Sequence, residues 1–389
     1  MRSLRIAQLH WGFPPIIGGV ETHLTILLPE IVKVGHEVWL LAGSVKGEPS
    51  EVDYKGVKVI RTPLMDLNWL YKRGLIGIED SFMSACSVFL ERAKPDIVHV
   101  HNMNYFSRPH AYVLKKLTDK LGIPLILTAH NSWDDELFLE LTTKIDWSHI
   151  IAVSHYIKRQ VMGIGYDDTR ISVIHHGVDV EKFERGKSDL IIKRYPELKG
   201  KKIVFHPARM GLAKGCDVSV KAFREVVKRI PDACLVLSGT KNIIDWGTTQ
   251  QKDIAYILYL IDTFGLGKNI FVNVFSPEEI VSLYALSSVC IYPSTVPEPF
   301  GLTMLESMAS AKPTIVTNMG GMPEVIEDNI NGFVIPPKDH ETLASRIIQL
   351  LEDEKTRKRL GNTGREIAEN SYTKEIMTKN TLKVYENAL

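Results

Sequence analysis

Hydrophobic positions along the chain fall into two alternating patterns, short apolar runs and longer stripes at helical spacing. Residues 4–10 read as a strand, and a Gly/Pro-rich loop from Trp11 to Gly19 follows it. Val20, Leu24, Leu27, Leu28 and Ile31 then share one face of a helix that Gly35 closes, glycine being the residue that most easily takes the left-handed turn ending a helix. Residues 38–42, 57–61, 96–100, 125–128, 150–153 and 171–174 are further predicted strands. Most are near-continuous β-branched runs, the pattern of strands covered on both faces of a parallel sheet. A second alternation supplies strands at 202–205, 235–237, 270–272, 289–292, 314–317 and 333–335. Helical patterns separate them, for example Leu343, Ala344, Ile347, Ile348 and Leu351. The polar stretch 181–202 between the two series is the linker candidate. The fold class is therefore α/β, with two doubly wound domains whose ligands bind beyond the carboxyl ends of the strands.

Length supports two cores, since 389 residues exceed what one ordinary core organises. With 44% hydrophobic and 24% charged residues the chain has the composition of a folded globular protein. A net charge of +1 gives no reason to expect nucleic acid or an anionic membrane as a partner. Cys86, Cys216, Cys234 and Cys290 are scattered, with no CxxC pair and no zinc-type spacing. A disulfide framework is not expected, and a reducing cytoplasm is the natural location. No stretch approaches the roughly 20 apolar residues that span a bilayer, so membrane contact is at most peripheral. Lys115, Lys116 and Lys120, interleaved with Leu114, Leu117 and Leu121, read as an ordinary surface helix.

Four loops just past strands carry the chemistry. The segment Glu298-Pro-Phe-Gly-Leu-Thr-Met-Leu-Glu306 places one carboxylate in a loop and a second on the helix that starts near Gly301. The free backbone N–H groups between them suit an anion or the polar face of a sugar. After the strand at 202–205 comes His206-Pro-Ala-Arg209-Met-Gly-Leu-Ala-Lys214-Gly215, where a forked Arg and a point-charge Lys could converge on a diphosphate. Gly18-Gly19-Val20-Glu21 follows the first strand, and a lone His130 stands in Leu127-Thr-Ala-His130-Asn131. Taken singly, each has an ordinary alternative: a helix cap, solvated basic residues, a turn, a structural histidine.

Together these segments resemble the retaining, nucleotide-sugar-dependent glycosyltransferases of the GT-B fold, the family-4-like "glycosyl transferases group 1". The resemblance covers nearly the whole chain and is most specific over residues 203–340. It implies two facing Rossmann-like domains with a cleft between them. Residues 1–186 would bind the acceptor and 187–371 the nucleotide-sugar donor, with the helix 372–389 packing back on the first domain. By resemblance Glu298 meets sugar hydroxyls, the amides of Phe300, Gly301 and Leu302 hold the sugar, and Glu306 takes the ribose hydroxyls. Arg209 and Lys214 hold the diphosphate and stabilise the leaving group, and Gly18 and Gly19 approach the phosphates. His130 matches the active-site histidine. His176-Gly177-Val178-Asp179 and Tyr292-Pro293-Ser294 are supporting matches.

The chain departs from the family pattern in three places. Pro207-Ala208 stands where a Gly usually precedes the Arg. Ser238-Gly239-Thr240-Lys241 replaces a Gly-rich turn and runs into an insertion-like stretch, and Phe271-Val272-Asn273-Val274-Phe275 replaces the frequent F-x-G. Gly239, Val274 and Phe275 are the donor-site candidates in those loops. No set of His, Asp or Cys has metal-ligand spacing and no Asp-x-Asp follows a strand, so neither metal nor other cofactor is expected.

The expected reaction moves a hexosyl group of glucose or N-acetylglucosamine type, most simply from a UDP-sugar, to a small soluble or cell-envelope acceptor, with retention. Glu21, Asn131, Trp133 and Asp134 are the acceptor-side candidates, and the carboxylates of Asp134, Asp135 and Glu136 would favour a cationic, amine-bearing acceptor. The alternatives are a non-catalytic nucleotide-sugar-binding protein and a GT-B-like sugar-nucleotide epimerase or phosphorylase.

Overall fold

The computed structural model describes residues 2–184, 187–239 and 249–389. The chain divides into two compact units, one from residues 2–177 and 374–389, the other from 178–239 and 249–373.

In the first unit the strands are β1 (Arg5–Leu9), β2 (Glu37–Gly43), β3 (Glu51–Tyr54), β4 (Val57–Thr62), β5 (Ile97–His101), β6 (Leu125–Ala129), β7 (His149–Ala152) and β8 (Ile171–Val173). They form one sheet in the order β3-β4-β2-β1-β5-β6-β7-β8. Every pair is parallel except β3 with β4. The seven predicted strands all appear, and β3 is an eighth that the apolar pattern did not signal. Its sequence, Glu-Val-Asp-Tyr, is exposed or half-exposed throughout, and an edge strand outside the core has no hydrophobic run to betray it. A two-residue turn joins it to β4, with Lys55 and Gly56 both at positive φ (53° and 84°), as right-twisted hairpins prefer.

In the second unit β9 (Lys202–His206), β10 (Ala233–Gly239), β11 (Ile270–Val274), β12 (Val289–Tyr292), β13 (Thr314–Thr317) and β14 (Gly332–Ile335) make an all-parallel sheet in the order β11-β10-β9-β12-β13-β14. Its core joins Val204, Leu235, Leu237, Val289, Ile291 and Ile315 from the strands to Phe223, Val226, Ile347 and Leu350 from the helices. Both sheets are doubly wound, so the α/β assignment holds. The predicted linker is not extended chain: Val180–Glu184 and Asp189–Arg194 are short helices, followed by a 3-10 turn at Pro196–Leu198. The charged faces that made it read as linker are the solvent sides of those turns.

The last helix, Lys374–Ala388, belongs to the first unit. Met377, Leu382, Val384 and Tyr385 enter the same core as Leu24, Leu27, Leu28 and Ile31 of the helix Gly19–Lys33. Tyr385 is fully buried, which carries a phenol from the end of the chain into the middle of the β1–β5 region.

Several core positions are polar. His99 on β5 and His206 on β9 are fully buried, and burial pushes both down to about 3; His110 falls to about 4 for the same leading reason. The unfolded chain takes up these protons near 6.5, the native state only at 3–4, so below 6.5 the unfolded state binds more protons. Their contribution is complete above pH 6.5 and is lost as the pH falls, at roughly 1.4 kcal/mol per pH unit per histidine. Calorimetry should therefore record a melting temperature that drops steeply between about pH 6.5 and pH 4.5; a flat profile there would contradict the neutral core.

Close helix packing makes a second prediction. A Cβ on Gly361, in the helix Glu354–Ser371, would overlap the carbonyl oxygen of Ala311, whereas one on Gly163 would meet nothing within 4 Å. Gly361→Ala should cost about 2 kcal/mol, a clash penalty within the usual overpacking range. Gly163→Ala, at the end of a helix, should gain up to about 1 kcal/mol. Urea melts of the two variants check the opposite signs.

Candidate active site

The loops at the carboxyl ends of β9 and β12 meet in the second unit because two glycines allow it. Gly215 has φ +73° and begins the helix Cys216–Arg229; a Cβ there would collide with the Pro293 carbonyl. The carbonyl of Ala213 accepts from Thr295 N at 3.0 Å and from Ser294 Oγ at 2.9 Å. On the other side a Cβ on Gly320 would overlap the backbone of Glu298, which pairs with Gly320 as a β-bridge and accepts from Gly321 N at 2.7 Å. Glycine is thus required on both flanks for backbone to lie against backbone.

This clamp brings Lys214 and Glu298 together. Lys214 Nζ lies 2.5 Å from Glu298 Oε1, and Ser294 Oγ lies 3.1 Å from the same oxygen. Glu298 is 6% exposed. Burial works against a charge on Lys214, but the neighbouring Tyr292 phenol and the Glu298 carboxylate outweigh it and hold the amine's pKa above its ordinary value. Sequence reasoning gave the two residues separate tasks; the structure makes them one ion pair. Arg209, in the same loop, is exposed; its carbonyl accepts from Cys216 Sγ at 3.9 Å, and its guanidinium has no hydrogen-bond or ion-pair partner among the described residues.

Glu306 stands on the helix Leu302–Ala309, whose N-cap is Gly301 at φ +100°. Tyr284 Oη donates to Glu306 Oε2 at 2.8 Å, and burial raises this carboxyl above the usual glutamate range. Phe300 is buried and Leu302 half-buried, on either side of the Gly301 helix start. Gly239 and Val274 face each other in register at the ends of β10 and β11. Phe275 is buried, with its ring 5.8 Å from that of Tyr195. Thr240 and Lys241, quoted for the same turn, lie outside the described residues.

In the first unit Gly18 and Gly19 open the helix Gly19–Lys33. A Cβ on Gly18 would overlap the Glu21 carboxylate, and one on Gly12 would lie 2.8 Å from it, while Gly19 has open space around it. Glu21 is folded inward and sits 3.0 Å from His10 Nε2, so Gly18 makes room for this carboxylate. His130, 4% exposed, is not solitary. Its Nε2 lies 2.9 Å from His101 Nδ1, its ring stacks on His176 at 5.3 Å, and His23 lies 5.0 Å away edge-on. Burial is the leading cause that pushes His23, His101, His130 and His176 below the ordinary histidine range. The group is neutral.

Sequence reasoning missed His10, His23 and His101, together with Gln8, His99 and Tyr385; His176 was singled out only as a supporting match, not as a neighbour of His130. One signal was present: the period of two on a strand puts Gln8 and His10 on one face of β1 and its extension, and His99 and His101 on one face of β5. The expectation that no His, Asp or Cys set has metal-ligand spacing was read from the sequence alone, where a set gathered by the fold does not show. Residues 23, 101 and 130 are far apart in sequence, yet each offers a nitrogen and these lie within 4.8 Å of one another. Two of those nitrogens already share the His101–His130 hydrogen bond.

On the loop after β6, Trp133 stacks flat on Tyr105 with centroids 3.9 Å apart. Asp134 and Glu136 are exposed and Asn131 is half-buried. Asp135 has a structural task instead: it caps the helix Glu136–Thr143 through Phe138 N at 2.9 Å and accepts from Tyr105 Oη at 2.6 Å. Those hydrogen bonds are with neutral donors, so replacing Asp135 would disturb the helix start as well as the local charge.

Comparison with known proteins agrees with this frame. The family model "Glycosyl transferases group 1" matches residues 187–367, and "Glycosyltransferase Family 4" matches residues 17–182. Spore coat protein SA of Bacillus subtilis is 28% identical over 402 residues, covering 99% of each chain. Among solved structures, a glycosyltransferase from Rickettsia africae superposes with a TM-score of 0.83 at 20% identity, covering 100% of this chain and 99% of the other. HepE of Anabaena, solved with UDP and glucose, gives a TM-score of 0.79 at 18% identity, covering 99% of this chain and 100% of that one. Two doubly wound sheets, the strand-end loops and both family matches lead to one conclusion: the chain belongs to the GT-B glycosyltransferases, glycosyl transferases group 1.

Proposed function

We propose that this glycosyltransferase moves a hexosyl group from a UDP-linked donor, with retention of anomeric configuration and without a metal ion. The observation that carries the reading is the positively charged Lys214 amine held at the end of β9 beside Glu298. With exposed Arg209 in the same loop, it offers two cations to a diphosphate whose charge grows as the glycosyl bond breaks. The helix start at Gly301 adds N–H donors, and Glu306 supplies a carboxylate acceptor for ribose hydroxyls. That HepE was solved with UDP and glucose supports the donor class. Retention rests on the family resemblance.

The proposed acceptor is small, or a soluble cell-envelope precursor, and bears an amine. Its support is modest in area: the half-buried Trp133 with exposed Asp134 and Glu136 beside it. Because Asp135 is a helix cap, the proper variant is Asp134→Asn with Glu136→Gln, which should raise KM for an amine acceptor several-fold and weaken its salt dependence. An unchanged KM removes that acceptor class.

Lys214 and Glu306 should fail by different routes. Removing Lys214 outright strands a buried carboxylate, at about 3–5 kcal/mol, so Lys214→Gln is the better variant. It should lower kcat about 100-fold or more, since leaving-group charge is a transition-state feature. Glu306→Gln should act mainly on donor KM, by about 10-fold, because ribose contacts are alike in ground and transition states. Steady-state kinetics with varied donor separate the two; wild-type behaviour in either removes that residue from the site.

Activity should persist in EDTA, and NMR of the product should show the anomeric configuration of the donor. Loss in EDTA restored by manganese would overturn metal independence. An inverted anomeric centre would overturn retention.

A further inference from the structure

The buried polar groups around His130 form a continuous chain that reaches the last helix. Gln8 Nε2 donates to Tyr385 Oη at 2.9 Å, and Tyr385 Oη lies 2.6 Å from His99 Nδ1. His99 Nε2 lies 2.7 Å from Thr128 Oγ1. In the other direction Gln8 Oε1 lies 2.9 Å from His101 Nε2, and His101 Nδ1 lies 2.9 Å from His130 Nε2. Gln8, His99, His101 and Tyr385 are each 0% exposed. Bulk solvent does not reach these bonds, so donor and acceptor must alternate along the chain.

That alternation determines where each proton sits. A carbonyl oxygen can only accept, so His101 carries its proton on Nε2 and donates it to Gln8 Oε1. Its Nδ1 is then a bare lone pair, and the 2.9 Å contact requires His130 to donate from Nε2. A neutral imidazole has one N–H, which leaves His130 Nδ1 as a lone pair. That atom is buried and has no hydrogen-bond partner among the described residues. At the far end Tyr385 receives from Gln8, so its own proton goes to His99 Nδ1, and His99 donates from Nε2 to Thr128.

Turning the Gln8 amide over would reverse every bond and put an N–H on His130 Nδ1. A buried donor without an acceptor costs about 1–3 kcal/mol, and orphaned donors are rarer in native proteins than under-satisfied acceptors. Asn102 Oδ1 accepts from the His130 backbone N at 2.9 Å, which holds the residue but not its ring proton. The tautomer depends on the side-chain chain alone.

We propose that Gln8, His101 and Tyr385 are positioning residues that lock His130 as its Nε2–H tautomer, so that Nδ1 acts as a hydrogen-bond acceptor for a substrate hydroxyl. This rests on the reading of His130 as an active-site residue. In the locked form a sugar hydroxyl must donate to His130, whereas the opposite tautomer would demand an acceptor. The arrangement also gives Tyr385 a task beyond packing: the phenol on the C-terminal helix anchors the Gln8 amide.

The test is ring-nitrogen NMR of the full chain with 15N-labelled histidine, alongside kinetics. His130 in the wild type should be neutral and protonated on Nε2. In Tyr385→Phe the Gln8 amide loses its anchor, and in Gln8→Met the chain is cut. In both, a second His130 tautomer should appear, and kcat should fall about 10-fold with donor KM within about twofold. A wild-type His130 protonated on Nδ1, or one unmoved in both variants, overturns the lock. Should both variants fail to fold, the wild-type spectrum alone decides the tautomer. Should the tautomer shift while kcat stays at the wild-type value, the lock stands but His130 has no part in the reaction.

Discussion

A lysine side chain only 24% exposed in the loop that follows β9 is matched by a carboxylate, and much of the second unit's strand-end geometry serves that pairing. Lys214 meets Glu298 at 2.5 Å only because Gly215 lies against Pro293 and Gly320 lies against Glu298. Ser294 braces the same carboxylate and, through its carbonyl, accepts from Thr317 Oγ1 at 2.7 Å on β13. Three neighbouring strands, β9, β12 and β13, therefore have their ends tied together by one pair of charges. Such a buried pair adds little net stability, because desolvation offsets most of the attraction. On the proposed reading, its value lies in holding a charged amine in one place before any ligand arrives, the preorganisation that electrostatic catalysis needs.

The first unit solves the same problem of burial by the opposite route. Its strand ends carry histidines, which escape the desolvation penalty by staying neutral. Neutral rings can alternate as donor and acceptor, and the result is a connected set running from His130 through His101 and Gln8 to Tyr385. Glu21, the carboxylate tucked inside this region, is matched to His10. The second unit thus holds a fixed positive charge, and the first holds neutral hydrogen-bonding groups.

Much of this was legible in the sequence, for physical reasons that differ from residue to residue. Strands buried on both faces announce themselves as β-branched runs, so β5, β6, β9 and β12 were plain, whereas β3 at an exposed edge was silent. Gly215 and Gly301 marked sharp turns next to charged residues, and both take positive φ. Pairing across the fold could not be read. Nothing in the spacing of Lys214 and Glu298 says that they touch, and the period of two that sets residue 99 beside 101 does not say that residues 10, 23, 130 and 176 gather around them. Asp135 looked like one of three equivalent carboxylates, yet only it stands one residue before a helix whose first N–H groups need an acceptor.

The central claim is that the strand-end loops around Lys214 hold the diphosphate of a nucleotide. Isothermal titration of UDP tests it most directly, with wild type and Lys214→Gln compared at equal ionic strength. The account predicts one UDP per chain in the wild type and an affinity at least about 10-fold weaker in the variant, the loss of one charge-assisted bond. No binding of any nucleoside diphosphate, or equal affinity in both proteins, would contradict it.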